Sequence, residues 1–219
     1  MDLQQIQTYL NSENPQERMK GIVELRHHEP TDVVPLLKQR MHDQEFMVRS
    51  FVAMGLGHKR TEEGFSALLD FIDYEKDPNV IAEAANSLSK FGEASIPYLR
   101  QIFMDHPHWL VRQSIFAVFE DIQHSSTLLE LCRLGMDDTE LVVQFAAIAN
   151  LGRLASTQYE PQAMESLTQA AQAENPQLRI KAARTLRHFQ GSDARALLNT
   201  LRQDDDHRVV GAALEGLLP

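Results

Sequence analysis

The histidines are the first side chains in this sequence with types and spacing that could perform chemistry. Nine histidines occur among the 219 residues, and His106 and His108 flank Pro107 just before Trp109, the one tryptophan. Two imidazoles at this spacing could meet a metal ion, but zinc normally takes three or four protein ligands, so these two are weak candidates. The alternative makes His106 a helix N-cap and packs Trp109 between repeated elements or against a partner, since tryptophan is common at the energetic centres of interfaces.

The only cysteine, Cys132, is the second candidate. It lies in the apolar stretch 128–132, where a free cysteine usually behaves as a small buried hydrophobic residue, so an inert thiol is favoured over one that meets a ligand at a surface. One cysteine cannot form an intramolecular disulfide. This cysteine usage is typical of a reducing compartment, and we expect a cytoplasmic protein.

Motifs that would place catalytic or phosphate-binding groups do not occur in the sequence. It contains neither G-x-G-x-x-G nor a P-loop, and neither H-E-x-x-H nor a calcium loop. The stretch 64–68 lacks the closing glycine of a nucleophile elbow. We therefore expect no catalytic residues, no metal centre and no cofactor.

Charge and composition narrow the class of protein. The chain has 31 acidic and 21 basic residues, and its formal net charge of −10 disfavours nucleic acid as a partner, because phosphate binding needs clustered Lys and Arg. The 43% hydrophobic and 24% charged residues are typical of a globular domain. No apolar run approaches the ~18 residues of a membrane span, and the N-terminus does not resemble a secretory signal.

A repeated pattern of residues organises the whole chain. In 48–56 an arginine follows a valine, and small and apolar residues come after it at fixed distances. The position that Arg49 occupies, which we call the arginine slot, recurs at 18, 49, 81, 112, 144, 179 and 210, in steps of 31, 32, 31, 32, 35 and 31 residues. The one long step contains the extra loop 155–161. This periodicity indicates a repeat architecture.

Each repeat is expected to contain two helices. An apolar cluster about 12–13 residues before the slot has the spacing of a short amphipathic helix, and Asp, Asn and Pro in the following turn suit the start of a second helix. We predict an all-α fold, an α-solenoid of about seven helix pairs that forms one domain over 1–219. The expected repeats are 1–29, 30–60, 61–92, 93–124, 125–156, 157–190 and 191–219. Basic residues recur nine positions after the slot, near the negative end of the second helix dipole, at His27, His58, Lys90, Arg153 and His188.

One side of the second helices is the predicted binding surface. At 100° per residue, positions −1, +3, +6, +7 and +10 from the slot are expected to face the core, and +1, +5 and +8 to face away. Much of that outer stripe is apolar in the first five repeats, which is typical of partner-binding surfaces. Burial of these residues by neighbouring helices would explain the apolar stripe equally well. The predicted partner-binding residues are Met19, Phe51, Met54, Trp109, Phe116 and Phe145.

The repeat of about 31 residues, with Asp or Asn in the turn, then Val-Arg, then spaced Ala and Leu, resembles the HEAT-like repeat. The segments 77–80, 84–88 and 109–112 carry the resemblance best, and it extends over essentially the whole chain. It looks most similar to the short repeat of the phycobilisome bilin lyases of cyanobacteria. Arginine is replaced in the slot by Ile81, Gln144 and Val210, so an Asp–Arg ladder between neighbouring repeats is expected to be interrupted.

Several functions are compatible with this resemblance. The first is a protein–protein interaction scaffold that uses the concave face of the solenoid, in a cyanobacterial or plastid setting. The resemblance also implies two alternatives: a subunit or relative of a phycobiliprotein bilin lyase, which would need a second chain, and an accessory protein that partners an iron–sulfur carrier. The expected partner is thus another protein, such as a phycobiliprotein, a lyase partner chain or an iron–sulfur carrier. A nucleic-acid enzyme of the HEAT-like glycosylase type is disfavoured by the net charge of −10.

Overall fold

The fold consists of α-helices joined in pairs by short turns. In a computed structural model of the chain, residues 1–119 and 124–215 are described, and within these ranges fourteen α-helices and three short 3₁₀ turns occur and no β-strand. The predicted all-α solenoid of helix pairs is confirmed. In the same ranges, no helix has the length and apolar character needed to cross a membrane.

The first unit of the chain, Met1–Ile122, contains four helix pairs. The helices are α1 (Leu3–Leu10), α2 (Pro15–Glu24), α3 (Pro30–Lys38), α4 (Phe46–Lys59), α5 (Glu62–Tyr74), α6 (Pro78–Ser89), α7 (Ile96–Asp105) and α8 (Trp109–Val118).

The second unit, Gln123–Pro219, contains three helix pairs. Its helices are α9 (Ser125–Met136), α10 (Leu141–Leu151), α11 (Glu160–Ala171), α12 (Pro176–Leu186), α13 (Ser192–Leu201) and α14 (His207–Leu214).

The turn residues start the second helices in the way that the sequence predicts. The side chains of Asn14, Asp77 and Asn175 each accept a hydrogen bond from the backbone N–H two residues further on, and proline occupies the first helical position after each of them. These caps satisfy backbone donors that a helix leaves unpaired, and the fixed proline φ suits the first turn. The second helices therefore begin at defined residues.

Within each unit, the second helices pack directly on one another. In the first unit α2 packs on α4, α4 on α6 and α6 on α8; in the second, α10 packs on α12 and α12 on α14. Glycine permits the closest approaches, since a Cβ at Gly57 would lie 2.5 Å from Cβ of Ser87 and one at Gly152 would lie 2.8 Å from Cδ2 of His188. Each first helix packs on the second helix of its own pair, and α5, α7, α11 and α13 also pack on the second helix of the preceding pair. The second helices consequently form a continuous layer in each unit.

Buried ion pairs tie the turns of neighbouring repeats together, and we call them the arginine ladder. In each, the arginine in the slot donates Nε and Nη2 to a carboxylate that lies six residues before the slot of the next repeat. The pairs are Arg18–Asp43, Arg49–Glu75 and Arg179–Asp204, with N–O distances between 2.6 and 3.1 Å. In each pair Nη1 of the arginine also donates to two carbonyl oxygens of the turn before its own helix. Such bidentate pairs fix geometry because the guanidinium is planar.

The ladder is interrupted where the sequence predicts. Ile81 fills one slot and is buried, and Gln144 fills another and donates Nε2 to the carbonyl oxygen of Asp138 at 2.5 Å. The acidic partner is missing at the same places, because His106 and Ala173 stand where the next repeat would supply the carboxylate. A buried charge without its counter-ion would destabilise the fold. Because both partners are missing, no such charge remains.

Replacing Arg49 by Met is expected to lower the free energy of unfolding by about 2–3 kcal/mol, because the buried Glu75 carboxylate and two turn carbonyls lose their donors. The double variant Arg49→Met/Glu75→Gln should lose less than the sum of the two single variants. Urea unfolding of the four proteins measures this, and strictly additive losses would contradict it. Lys38→Met is the control, because the Lys38–Glu63 pair is exposed and its loss should cost no more than about 0.5–1 kcal/mol.

The same carboxylates should make the fold sensitive to acid. Burial raises the pKa of Glu75, but hydrogen bonds from Arg49 and from the backbone N–H groups of Asp77 and Lys76 outweigh burial and hold the pKa below its usual value. The pKa of Asp204 is also lowered, mainly by the hydrogen bond from Arg179. A folded-state pKa below the unfolded value stabilises the fold above the unfolded pKa, and this stabilisation is lost as the pH falls through the folded pKa.

We therefore expect the urea midpoint of the natural protein to decrease from about pH 4.5 downwards, where carboxylates begin to be protonated. The decrease should be smaller in Arg49→Met/Glu75→Gln, which lacks one of these carboxylates. Equal decreases in both proteins would show that Glu75 does not contribute to the acid sensitivity.

Candidate functional site

An apolar pocket lies at the C-terminal ends of α2 and α4 in the first unit. It has a volume of about 300 Å³, and its base is formed by Leu25 and by Val33 and Leu37 of α3, all of which are at most 1% exposed. Phe51 and Met54 of α4 form one wall. The volume and apolar lining fit the smaller binding pockets found in proteins, which begin at about 300 Å³.

Basic side chains surround this pocket, and we call Arg26, His58, Lys59 and Lys90 the basic rim. The rim lies where α2, α4 and α6 end, and cations are favourable there because the helix dipole is negative at its C-terminus. Nζ of Lys59 donates to the carbonyl oxygens of Arg26, at 2.9 Å, and of His28. Among the described residues, His58 and Lys90 have no hydrogen-bond or ion-pair partner. Nε of Arg26 donates to Nε2 of His27 at 2.9 Å. The rim thus includes two cations that are engaged within the chain and two side chains that can meet a ligand.

The structure brings two of the predicted partner-binding residues together. Phe51 is half-buried and Met54 is 38% exposed, and both line the pocket. Met19 is half-buried on α2 and lies outside the pocket lining. The predicted outer stripe is therefore partly accessible on α2 and α4.

Trp109 and Phe145 lie elsewhere. Trp109 is the first residue of α8, is 40% exposed and stacks on the His108 ring with the centroids 5.7 Å apart. Phe145 is half-buried on α10 of the second unit, next to a hollow that it lines with Ile180 and Lys181 of α12. Neither residue belongs to the pocket.

The prediction that Phe116 is available to a partner is wrong. Its side chain is 1% exposed and packs edge-to-face on Phe103 of α7, with ring centroids 5.3 Å apart. Position +4 from the slot faces the first helix of the same pair, so it belongs to the core. The same position is buried in five other repeats, at Ile22, Ala53, Ala85, Ile148 and Ala183, whereas Leu214 in the last repeat is 42% exposed.

The histidine cluster, His106 and His108, lies directly before the start of α8. Nδ1 of His108 accepts a hydrogen bond from the backbone N–H of Leu110 at 3.3 Å and caps α8. The N-cap is therefore His108, whereas the alternative drawn from the sequence placed it at His106. Within residues 1–119 and 124–215, no group of three or more His, Cys, Asp and Glu side chains is placed to hold a metal ion. His106 and His108 therefore gain no further ligand from the described residues.

The sequence analysis found the wall of the pocket but not its base or its rim. Two of the three base residues, Val33 and Leu37, come from α3, which no pattern along the second helices can indicate. Two rim residues, His58 and Lys90, belong to the basic residues that recur nine positions after the slot, so the sequence contained a signal for the rim. Those residues were attributed to helix dipoles alone, whereas the structure also places them around an apolar pocket.

Comparisons with known proteins agree with this architecture. The HEAT repeat family matches residues 34–120 and 123–218. The solved structure of YibA from Escherichia coli is similar with a TM-score of 0.65 and 15% identity, over 98% of this chain and 80% of that one. The complex of CpcE and CpcF of phycocyanin lyase from Nostoc sp. PCC7120 is similar with a TM-score of 0.54 and 16% identity, over 100% and 95% of the respective chains. A search of curated proteins finds no match. At these identities the structural likenesses show the fold alone.

Cys132 lies on α9 in the second unit and is completely buried. Burial raises the pKa of its thiol far above the usual value, so the reactive thiolate does not form near neutral pH. The inert-thiol interpretation of the sequence is therefore the one that the structure favours.

We expect iodoacetamide at pH 8 to leave Cys132 unmodified in the folded protein and to modify it fully in 6 M guanidinium, because only unfolding exposes the thiol. Mass spectrometry of the intact chain over time measures both reactions. Rapid modification of the folded protein would contradict the burial of this residue.

Proposed function

Because this chain belongs to the HEAT repeat family, we propose that it is a non-enzymatic protein-binding module whose contact surface is the apolar pocket of the first unit and the second-helix surface around it. Stacked helix pairs expose a long surface without requiring catalytic groups, which suits them to binding extended partners. We propose further that the partner lies along the second helices.

The observation that carries the proposal is an apolar pocket that packing within the chain leaves unfilled. Its base is rigid, because Leu25, Val33 and Leu37 are core residues, while Met54 at its edge is 38% exposed. Exposed apolar surface beside a pocket is typical of interaction sites. A methionine at the edge suits such a site, because its flexible thioether adapts to the shape of a partner.

The bilin-lyase and iron–sulfur-carrier alternatives remain predictions from the repeat resemblance, as does the cyanobacterial setting. The cytoplasmic location remains a prediction from the cysteine usage. The pocket lining contains no thiol that could hold a bilin, because Cys132, the one cysteine of the sequence, is buried in the other unit. A lyase role would thus require a second chain. Transfer of colour to an apo-phycobiliprotein by this chain, with or without candidate partner chains, would favour the lyase alternative.

Replacing Met54 by Glu is expected to weaken partner binding at least about tenfold, because a carboxylate would be desolvated against the apolar wall. The partner is first captured in its native extract by a photo-crosslinking residue in place of Phe51, and is then purified. Its dissociation constant is measured for the natural chain and for the variant by calorimetry. Circular dichroism verifies that the variant is folded.

Met47→Glu is the matched control. Met47 also lies on α4 and is 45% exposed, but it does not line the pocket, so the same change there should alter the dissociation constant less than about twofold. Equal weakening by both variants, or by neither, would overturn the proposed surface.

A further inference from the structure

We propose that the pocket binds an acidic, apolar segment of the partner protein, with one large apolar side chain in the pocket and adjacent carboxylates on the basic rim. This inference rests on the proposed function and adds the chemical class of the partner. It is carried by three observations: the size of the pocket, the charge around it, and the distribution of charge along the second helices.

The pocket is suited to side chains rather than to a folded surface. Its volume of about 300 Å³ accommodates one or two large apolar side chains between α2, α3 and α4. The base is at most 1% exposed at Leu25, Val33 and Leu37, so it is already packed and does not have to be ordered when the ligand binds. A short segment that projects one anchor side chain fits this shape, as hot-spot residues of interfaces do.

The charge around the pocket is opposite in sign to that of the whole protein. The formal net charge of the chain is −10, yet all four charged or titratable lining residues are Arg, His or Lys. His58 and Lys90 make no hydrogen bond or ion pair with the described residues, so they can pair with carboxylates of a ligand. Lys59 already donates to two backbone carbonyl oxygens and keeps the third of its donors.

Most acidic residues of these helices lie at or before their starts; the exceptions are Glu24, which ends α2 and pairs with the N-terminal ammonium group, and Glu83 within α6. Asp43 and Glu45 precede α4, and Glu75 and Asp77 precede α6, whereas the rim follows the ends of α2, α4 and α6. A segment with carboxylates is therefore favoured at the rim over the starts of these helices, where Asp43 and Glu75 are already paired with arginine and Glu45 and Asp77 add negative charge. This separation of charge gives the segment an orientation as well as a binding site, because complementary potentials fix register.

A nucleic acid fits this surface less well. The rim has four basic residues around an apolar base, and a polyanion that extends beyond them meets a chain with a net charge of −10. Nucleic-acid sites need basic groups along the whole path of the backbone. A short segment in which carboxylates flank an apolar residue satisfies both the rim and the base.

The probe for this inference is a phage-displayed library of random 12-residue peptides, selected on the full chain and counter-selected on Met54→Glu. We expect the enriched peptides to contain a large aliphatic or aromatic residue next to Asp or Glu. Enrichment of neutral or basic peptides, or of none, would overturn the inference. A mixed-sequence oligonucleotide that binds more tightly than the enriched peptides would do so as well.

The enriched peptides are then titrated by fluorescence anisotropy. Lys90→Glu should weaken binding by about fivefold or more, as loss and reversal of one rim charge would do, and replacing Glu by Gln in the peptide should have a similar effect. Both effects should shrink as NaCl is raised from 50 to 500 mM, because salt screens exposed charges. Lys76→Glu, the same change at the exposed start of α6, should alter the affinity less than about twofold.

The outcomes separate this inference from the proposed function. If Met54→Glu weakens the native partner while Lys90→Glu and the Gln-containing peptides bind normally, the protein-binding surface stands and the acidic class of partner is wrong. If Met54→Glu and Met47→Glu leave the native partner bound equally, the proposed function itself fails, whatever the peptides show.

Discussion

The pairing of an arginine in one repeat with a carboxylate in the next is the interaction on which the rest of the structure depends. A guanidinium such as that of Arg49 is nearly buried, so its donors must find acceptors, and it finds them in Glu75 and in two carbonyl oxygens of its own turn. The turn and the neighbouring repeat are thereby held in one register. The pocket depends on that register, because its lining comes from α2, α3 and α4 together.

The places where the ladder stops follow the same physics. An isolated arginine or carboxylate in these turns would be a buried charge without a partner, which costs several kcal/mol, about 3–5 by the usual measure. At Ile81 and His106, and again at Gln144 and Ala173, both members of the pair are absent. The buried Ile81 replaces the ion pair by apolar packing, and Gln144 retains only the contact of an arginine with its own turn. At Ile81 and Gln144, apolar packing and an uncharged hydrogen bond therefore replace the ion pair between neighbouring repeats.

The fold could be predicted because stacking leaves a periodic record in the sequence, with the arginine slot, the caps and the small residues returning at nearly constant spacing. The candidate site could be predicted only in part. Met54 was found because it lies on the apolar outer stripe at +5 from the slot, and Phe51 because its position at +2 is off the predicted core side. Phe116 was misassigned because the angular position of a residue on its own helix does not reveal which face the paired first helix covers; α7 covers it here. The pocket base could not be predicted, because it needs the distance between α3 and α4.

Stacking also determines where binding chemistry can occur on this chain. The ladder and the N-caps require acidic and amide side chains at the starts of the second helices, and most of these carboxylates are already engaged by arginine or by backbone N–H groups. The C-terminal ends of the same helices do not require acidic or amide side chains, and the helix dipole favours cations there. Among the described residues, His58 and Lys90 are consequently left without a polar partner beside apolar surface, at the ends of the helices opposite the carboxylates of the ladder. A protein with a net charge of −10 can in this way present a basic, apolar site to an acidic segment without weakening the interactions that hold its repeats together.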